Sequence, residues 1–216
     1  MTNLHGRSHL LDRILSEMVQ FPTIKYLPVL LLVIGLWFSV DWRSERRRIL
    51  FAGVLAGFLA FAVTRTMQSL LPERPRPGLS GKFDFHGLFD APPDWSSFPS
   101  DTAGLALAIA TAVFLTSRRL GVLALFWAIV VTCFPRLYCG YHYLSDLVAG
   151  GMIGAALTVL LAKSGWIEKL YLRLARMAEI RPQYFYPLAF FVMFQISEWF
   201  WDIRRMGGEA AKLLVS

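Results

Sequence analysis

The sequence predicts an all-α integral membrane bundle of about six transmembrane helices. Three observations predict it. Charged residues make up 17% of the chain, against about 25% in an ordinary soluble domain. Hydrophobic residues make up 56%, and the mean hydropathy is +0.49. The apolar residues also fall in long runs, the pattern of helices solvated by lipid.

Each element can be justified in chain order. Residues 1–24 read as an interfacial helix. Leu10, Leu11, Ile14, Leu15 and Met18 recur at helical spacing, and Asp12, Arg13 and Glu17 interrupt them, a pattern unlike that of a cleaved signal peptide. Residues 25–163 form the core, with apolar runs at 26–40, 49–71, 102–116, 120–134 and 147–162. Residues 164–182 are basic and amphipathic, suited to a membrane surface. Residues 183–203 hold the last transmembrane helix, whose run at 185–200 carries Gln195, Ser197 and Glu198 near its end. Several runs fall short of the ~20 residues of a perpendicular span. Trp42, Trp95, Trp166 and Tyr184 would extend them as an aromatic belt. The whole reads as a single membrane domain.

The net charge of +7 does not point to nucleic acid, because the basic residues cluster at the ends of apolar runs. With six spans, one side holds Arg43, Arg46, Arg47, Arg48, Arg118, Arg119, Lys163, Lys169, Arg173, Arg176 and Arg181, eleven of the 22 basic residues. The positive-inside rule makes that side cytoplasmic. The opposite, outer side then holds the long 72–99 loop and the loop around His142. Cys133 and Cys139 are too few for a disulfide framework and match no zinc pattern.

Three outward clusters carry chemistry. The first is Arg65 through Arg74-Pro75-Arg76-Pro77, where proline stiffens the backbone between two arginines. Guanidinium groups match phosphate oxygens with paired donors. Alone, this segment could equally be a membrane-flanking basic anchor. The second is Pro99-Ser100-Asp101-Thr102, a helix N-terminus signature whose free N–H groups and dipole favour a phosphate; a plain helix cap would look the same. The third is Arg136, His142 and Asp146. The last two share a helix face at four-residue spacing. A carboxylate holding one imidazole nitrogen leaves the other to attack phosphorus. Taken singly, His142 could be a satisfied loop residue and Asp146 a helix cap.

In order and content these clusters resemble the type-2 phosphatidic-acid phosphatase superfamily, with its KxxxxxxRP, PSGH-like and SRxxxxxHxxxD segments. The motif-level match runs from Arg65 to Asp146, with Pro135 in place of serine before Arg136. The resemblance implies the helical core that lipid phosphatases share with haloperoxidase relatives. It implies a lipid phosphate or polyprenyl (di)phosphate substrate, with membrane lipids around it, and neither metal nor cofactor. It implies that His142 becomes a phosphohistidine, that Asp146 orients it, and that Arg76 and Arg136 bind phosphate, with Arg65, Arg74 and Ser100 as further phosphate-binding candidates. It places the protein in a plasma or bacterial inner membrane with its site facing the exterior or periplasm.

Two positions depart from the family pattern. The family lysine falls on Ser69, and Arg65, one turn or about 6 Å earlier on the same face, can replace it. The family's second-motif histidine, which protonates the leaving group and activates water, falls on Thr102, and threonine does neither near neutral pH. Three readings stay open: an inactivated variant of a histidine-bearing protein, service by His86 or Asp101, or loss of hydrolysis with retained lipid-phosphate binding or transport. Passing phosphate to a second acceptor, as a phosphotransferase, is a further alternative.

Overall fold

The computed structural model describes residues 8–39, 44–80 and 96–197; Trp42, His86, Trp95 and Glu198 lie outside them. Helix α1 (His9–Gln20) begins at Ser8, whose Oγ accepts from Leu11 N. Helix α2 (Pro22–Phe38) follows after Phe21, and the two are bent by 66°. Pro22 opens α2 at a position where a missing N–H costs nothing. Helix α3 (Glu45–Leu70) is capped by Ser44. After a single 3-10 turn at Pro77–Leu79 come α4 (Asp101–Thr116), α5 (Arg118–Tyr138), α6 (Leu144–Ala162), α7 (Gly165–Ile180) and α8 (Pro182–Ser197).

The six apolar runs thus become α2, α3, α4, α5, α6 and α8, and the amphipathic segment becomes α7. Their lengths differ from six full spans. Only α3, α5 and α6 are long and apolar enough among the described residues to cross a membrane, or four spans if the bent α1–α2 pair counts as one. Helix α4 is apolar but has 16 residues, about 24 Å at 1.5 Å per residue. It is enclosed by its neighbours along most of its length, so its polar first turn is buried inside protein.

Helices α3, α4 and α6 form the heart of the bundle. Small residues let them approach closely, as lipid-solvated helices require. A Cβ at Gly150 would strike the Ser100 carbonyl, and one at Gly154 would strike the Gly104 carbonyl. One turn on, Thr158 Oγ1 donates to Ala108 O at 3.0 Å. Tyr26, Val29, Leu30 and Val33 of α2 pack on Leu105, Ile109 and Val113 of α4. Leu31, Val63, Phe126, Met152, Leu160 and Phe190 point outward, an apolar exterior that only lipid would solvate well.

Within α5 the ladder widens to a π turn over Ala128–Cys133, with Phe134 N–H donating to Ile129 O. Pro135 follows immediately, has no N–H to give and crowds the preceding turn. The adjustment sets the direction of the last turn, which carries Arg136.

Two ends can be told apart. At one, Arg48 of α3 pairs with Glu168 of α7 at 3.2 Å, and Ser117 alone joins α4 to α5. At the other lie the end of α3, the start of α4, the end of α5 and the start of α6. Cross-links tie them: Gln68 Nε2 donates to Pro99 O at 2.7 Å, and Ser100 N donates to Asp146 O at 3.0 Å.

Candidate active site

The segment after α5 turns sharply at Gly140, whose φ of 77° lies in the left-handed region that disfavours side chains. Gly140 O also accepts from Gly78 N at 2.9 Å, so the turn docks the 72–80 stretch. His142 follows at 3% exposure. It does not share a helix with Asp146, as the four-residue spacing suggested. It lies in the loop ahead of α6, and Asp146 sits in that helix's first turn. Tyr143 is the N-cap, and its backbone N–H donates to Asp146 Oδ2 at 2.9 Å.

The imidazole is held differently from the expected carboxylate–histidine pair. His142 Nδ1 lies 2.9 Å from Ser97 O and 3.8 Å from Asp146 Oδ2. The second distance is too long for a hydrogen bond. A carbonyl only accepts, so Nδ1 carries the hydrogen and Nε2 keeps its lone pair. Asp146, fully buried, is engaged by Arg74 Nη1 at 2.6 Å and contributes a field and a loop anchor. Burial pushes the His142 pKa below the usual histidine range. Asp146 opposes this, Arg76 and Arg136 push it further down, and Asp101 resists. The ring is therefore held neutral near pH 7, the state a nucleophile needs.

The arginines divide by task. Arg74 Nη1 also donates to Ser145 Oγ at 2.9 Å, and its guanidinium covers the Tyr143 ring at 4.3 Å. Arg65 Nε pairs with Asp101 Oδ2 at 2.9 Å, and its Nη1 donates to Gln68 Oε1 at 3.2 Å. Arg76 Nη1 donates to Tyr141 O at 3.1 Å. Among the described residues, Arg76 Nε, Arg136 Nη1 and Ser97 Oγ are buried with no hydrogen-bond partner. Such groups cost free energy unless a ligand takes them up. Burial lowers the Arg76 pKa, Asp101 counters it, and Arg136 and Arg65 add to the lowering. This is a crowd of positive charge short of an anion.

The second cluster lies against the first and third. Ser100 caps α4, its Oγ accepting from Ala103 N at 3.3 Å. Asp101 Oδ1 accepts from Thr102 N at 2.7 Å and lies 3.3 Å from Thr102 Oγ1. Thr102 is 2% exposed. Arg65, Arg74, Arg76, Ser100, Asp101, Thr102, Arg136, His142 and Asp146 are thus gathered at one end of the bundle. Sequence reasoning missed Ser97, Gln68, Tyr141 and Tyr143. Ser97 precedes the Pro99–Thr102 segment by two residues and carries no periodicity. Its contact with His142 is made by a backbone carbonyl, which no side-chain pattern reveals.

The PAP2 superfamily profile matches residues 47–169. The protein named undecaprenyl-diphosphatase BcrC, from Bacillus subtilis (strain 168), is 31% identical over 159 residues, covering 70% of this chain and 75% of its own length. The crystal structure of Aquifex aeolicus LpxE superposes with a TM-score of 0.54 at 22% identity, over 74% of this chain and 89% of that one, a likeness of fold. The matched span begins near the start of α3, ends in α7, and encloses Arg65, Arg76, Thr102, Arg136, His142 and Asp146. With a helical membrane bundle and a buried, arginine-lined histidine at one end of it, the chain belongs to the PAP2 superfamily.

Proposed function

We propose that this protein is a membrane phosphatase acting on a lipid phosphate or polyprenyl (di)phosphate through a phosphohistidine at His142. The single observation that carries the reading is the pairing of a neutral, Nδ1-protonated His142 with buried, unpartnered donors on Arg76, Arg136 and Ser97. The lipid chain would stay in the apolar surroundings and the headgroup would reach this end of the bundle. Arg76 Nε, Arg136 Nη1 and Ser97 Oγ would take phosphate oxygens, and their preorganised charge would stabilise the transferring phosphoryl group. His142 Nε2 would attack phosphorus, and water would then release phosphate.

Arg74 and Asp146 act on the loop rather than on phosphate, with Arg65 as the counter-ion of Asp101. The basic loops at the far end support a cytoplasmic assignment for that end and an outward-facing site. The chain forms one membrane domain, α1 and α7 lying along its surface. Thr102 favours a second reading, a family member that binds or transports lipid phosphates without turnover. An acceptor hydroxyl in place of water would make it a phosphotransferase.

The test is phosphate release from phosphatidic acid, phosphatidylglycerol phosphate and undecaprenyl diphosphate, by the chain as it stands and by Thr102→His. Release that is lost in His142→Ala supports the hydrolase. If neither protein releases phosphate, and Arg136→Ala abolishes binding while His142→Ala does not, the binder reading replaces it.

A further inference from the structure

Helix α1 lies outside residues 47–169, the span that matches the family profile, yet it packs against the segment that carries the site. Its inward face holds Asp12, Leu15 and Val19. Leu15 and Val19 close on Tyr138 and Cys139, with Met18 and Tyr141 at the edge of the cluster. Two hydrogen bonds fix the fit. Tyr138 Oη donates to Asp12 Oδ1 at 2.6 Å, and Gln20 Nε2 donates to Tyr141 Oη at 3.3 Å. Both tyrosines belong to the stretch between Arg136 and His142. Tyr141 N donates to Arg136 O at 2.9 Å, and Tyr141 O accepts from Arg76 Nη1 at 3.1 Å. Tyr141 therefore joins α1 to Arg136 through the backbone and to Arg76 through its guanidinium. These are the two arginines with buried donors that lack a hydrogen-bond partner.

The elbow between α1 and α2 is tied as well. Lys25 of α2, 3% exposed, reaches back so that Nζ donates to Val19 O at 2.7 Å, which satisfies a carbonyl of the last turn of α1. Trp127 Nε1 donates to Ile24 O at 3.1 Å, and Thr132 Oγ1 donates to Lys25 O at 3.3 Å. The 66° bend is thus anchored on α5, and α1 crosses the end of α5 instead of extending α2. The outward face of α1 is of another kind. Leu10, Leu11 and Ile14 are exposed at helical spacing, followed by exposed Phe21. They lead on to Ile24, Leu27 and Leu31, exposed apolar residues of α2. Arg13 and Glu17, also exposed, flank the stripe. An apolar stripe with a charged flank, continuous with a lipid-facing helix, suits a seat in the headgroup region of a bilayer.

We propose that α1 is a membrane-seated clamp: phospholipid at the bilayer surface holds its outer face, while Asp12 and Gln20 hold the Tyr138–His142 segment, so that the phosphate site reaches full affinity only when α1 is seated. The proposal rests on the reading of Arg76 and Arg136 as phosphate-binding groups. Asp12, Gln20 and Tyr138 are positioning residues that act through Tyr141 and the backbone beside it. Such a clamp sets the fraction of molecules in which the site is assembled, and apparent affinity falls in proportion to that fraction. Bound substrate draws the site together again, so KM rises while kcat holds. Loss of folded protein does the reverse: kcat falls and KM is unchanged.

The test uses the full chain in phospholipid nanodiscs, with Cys133→Ala so that Cys139, fully buried against Leu15 and Val19, is the remaining thiol. Two quantities are read: the Kd for inorganic phosphate, and the rate at which a membrane-impermeant maleimide labels Cys139. Asp12→Ala and Tyr138→Phe are each expected to raise the phosphate Kd about tenfold, the worth of one hydrogen bond, and no further when combined. Asp12→Asn, which keeps a carbonyl oxygen for the Tyr138 hydroxyl, should retain the unaltered affinity. Leu10→Gln, Leu11→Gln and Ile14→Gln together alter only the outer face. They should raise the Kd to the same extent and speed Cys139 labelling about tenfold, as local opening requires. On a lipid phosphate that is turned over, the same variants should raise KM about tenfold at near-constant kcat. A phosphate Kd indifferent to Asp12→Ala or to the outer-face substitutions overturns the proposal and leaves the phosphate-site reading intact. So does a fall in kcat at constant KM. An unaltered chain that binds no phosphate overturns the phosphate-site reading and this proposal with it.

Discussion

At the scale of single residues, the chemistry is decided by what holds His142. A ring hydrogen-bonded through Nδ1 to a backbone carbonyl, and buried beside Arg76 and Arg136, is an imidazole whose basic form persists to lower pH than usual. With His142 as the proposed nucleophile, activity depends on that basic form. The acid limb of kcat/KM is therefore expected below the ordinary histidine value of about 6.5, and a pH–rate profile measures it. Arg76→Ala should move the limb upward, because it removes a positive charge that opposes imidazolium. An acid limb at or above 6.5 in the unaltered protein would contradict this environment. Arg136→Ala should lower kcat/KM by about 100-fold or more, the scale of losing one preorganised donor to a developing charge. The sequence brought these residues forward by their spacing and by the family pattern, which is written in side chains. The roles of Ser97 O, of Tyr143 N and of the Arg74–Asp146 pair were not legible there. Two of them are backbone groups, and the third depends on which of two neighbouring arginines the chain turns toward Asp146.

At the scale of elements, the site depends on close contact between the first turn of α4 and α6. Gly150 is where the two backbones meet, at the Ser100 carbonyl. Gly150→Val would push α6 away from the cap that presents Asp101 and Thr102, at a cost on the order of 1–3 kcal/mol. Activity should fall together with thermal stability, read as a lower midpoint in a detergent melt. At Gly140, with φ of 77°, alanine should cost about 1–2 kcal/mol. It should also impair phosphate binding, because the turn carries both the Gly78 contact and the approach to His142. A Gly140→Ala protein of full stability and activity would show that this turn is not needed. Hydrophobic runs made the helices readable. Their ends were less so: Pro22 starts α2 ahead of its apolar run, and Pro135 produces a π turn rather than an end, an outcome that depends on how the neighbouring helices hold the chain.

At the scale of the whole molecule, apolar composition and runs gave the class, and the motifs gave the family. The number of crossings was less legible, since α4 is short for a span and reaches its position by being enclosed in protein rather than by matching the bilayer. The assembled picture is a bundle with an apolar exterior, basic loops at one end and a phosphate-sized cluster of donors at the other. A cysteine introduced at Ser145 in a cysteine-free background should react with a membrane-impermeant thiol reagent from the outside of intact cells, and one introduced at Ser117 should not; the reverse pattern would invert the orientation. The central claim, that His142 takes the phosphoryl group, is tested most directly by acid-free denaturing quench of the protein during turnover of a radiolabelled lipid phosphate, followed by peptide mapping. The account predicts acid-labile, alkali-stable label on the peptide containing His142, absent in His142→Ala and enriched by slow breakdown at Thr102. Phosphate release without label at His142, or with label on another residue, would contradict it.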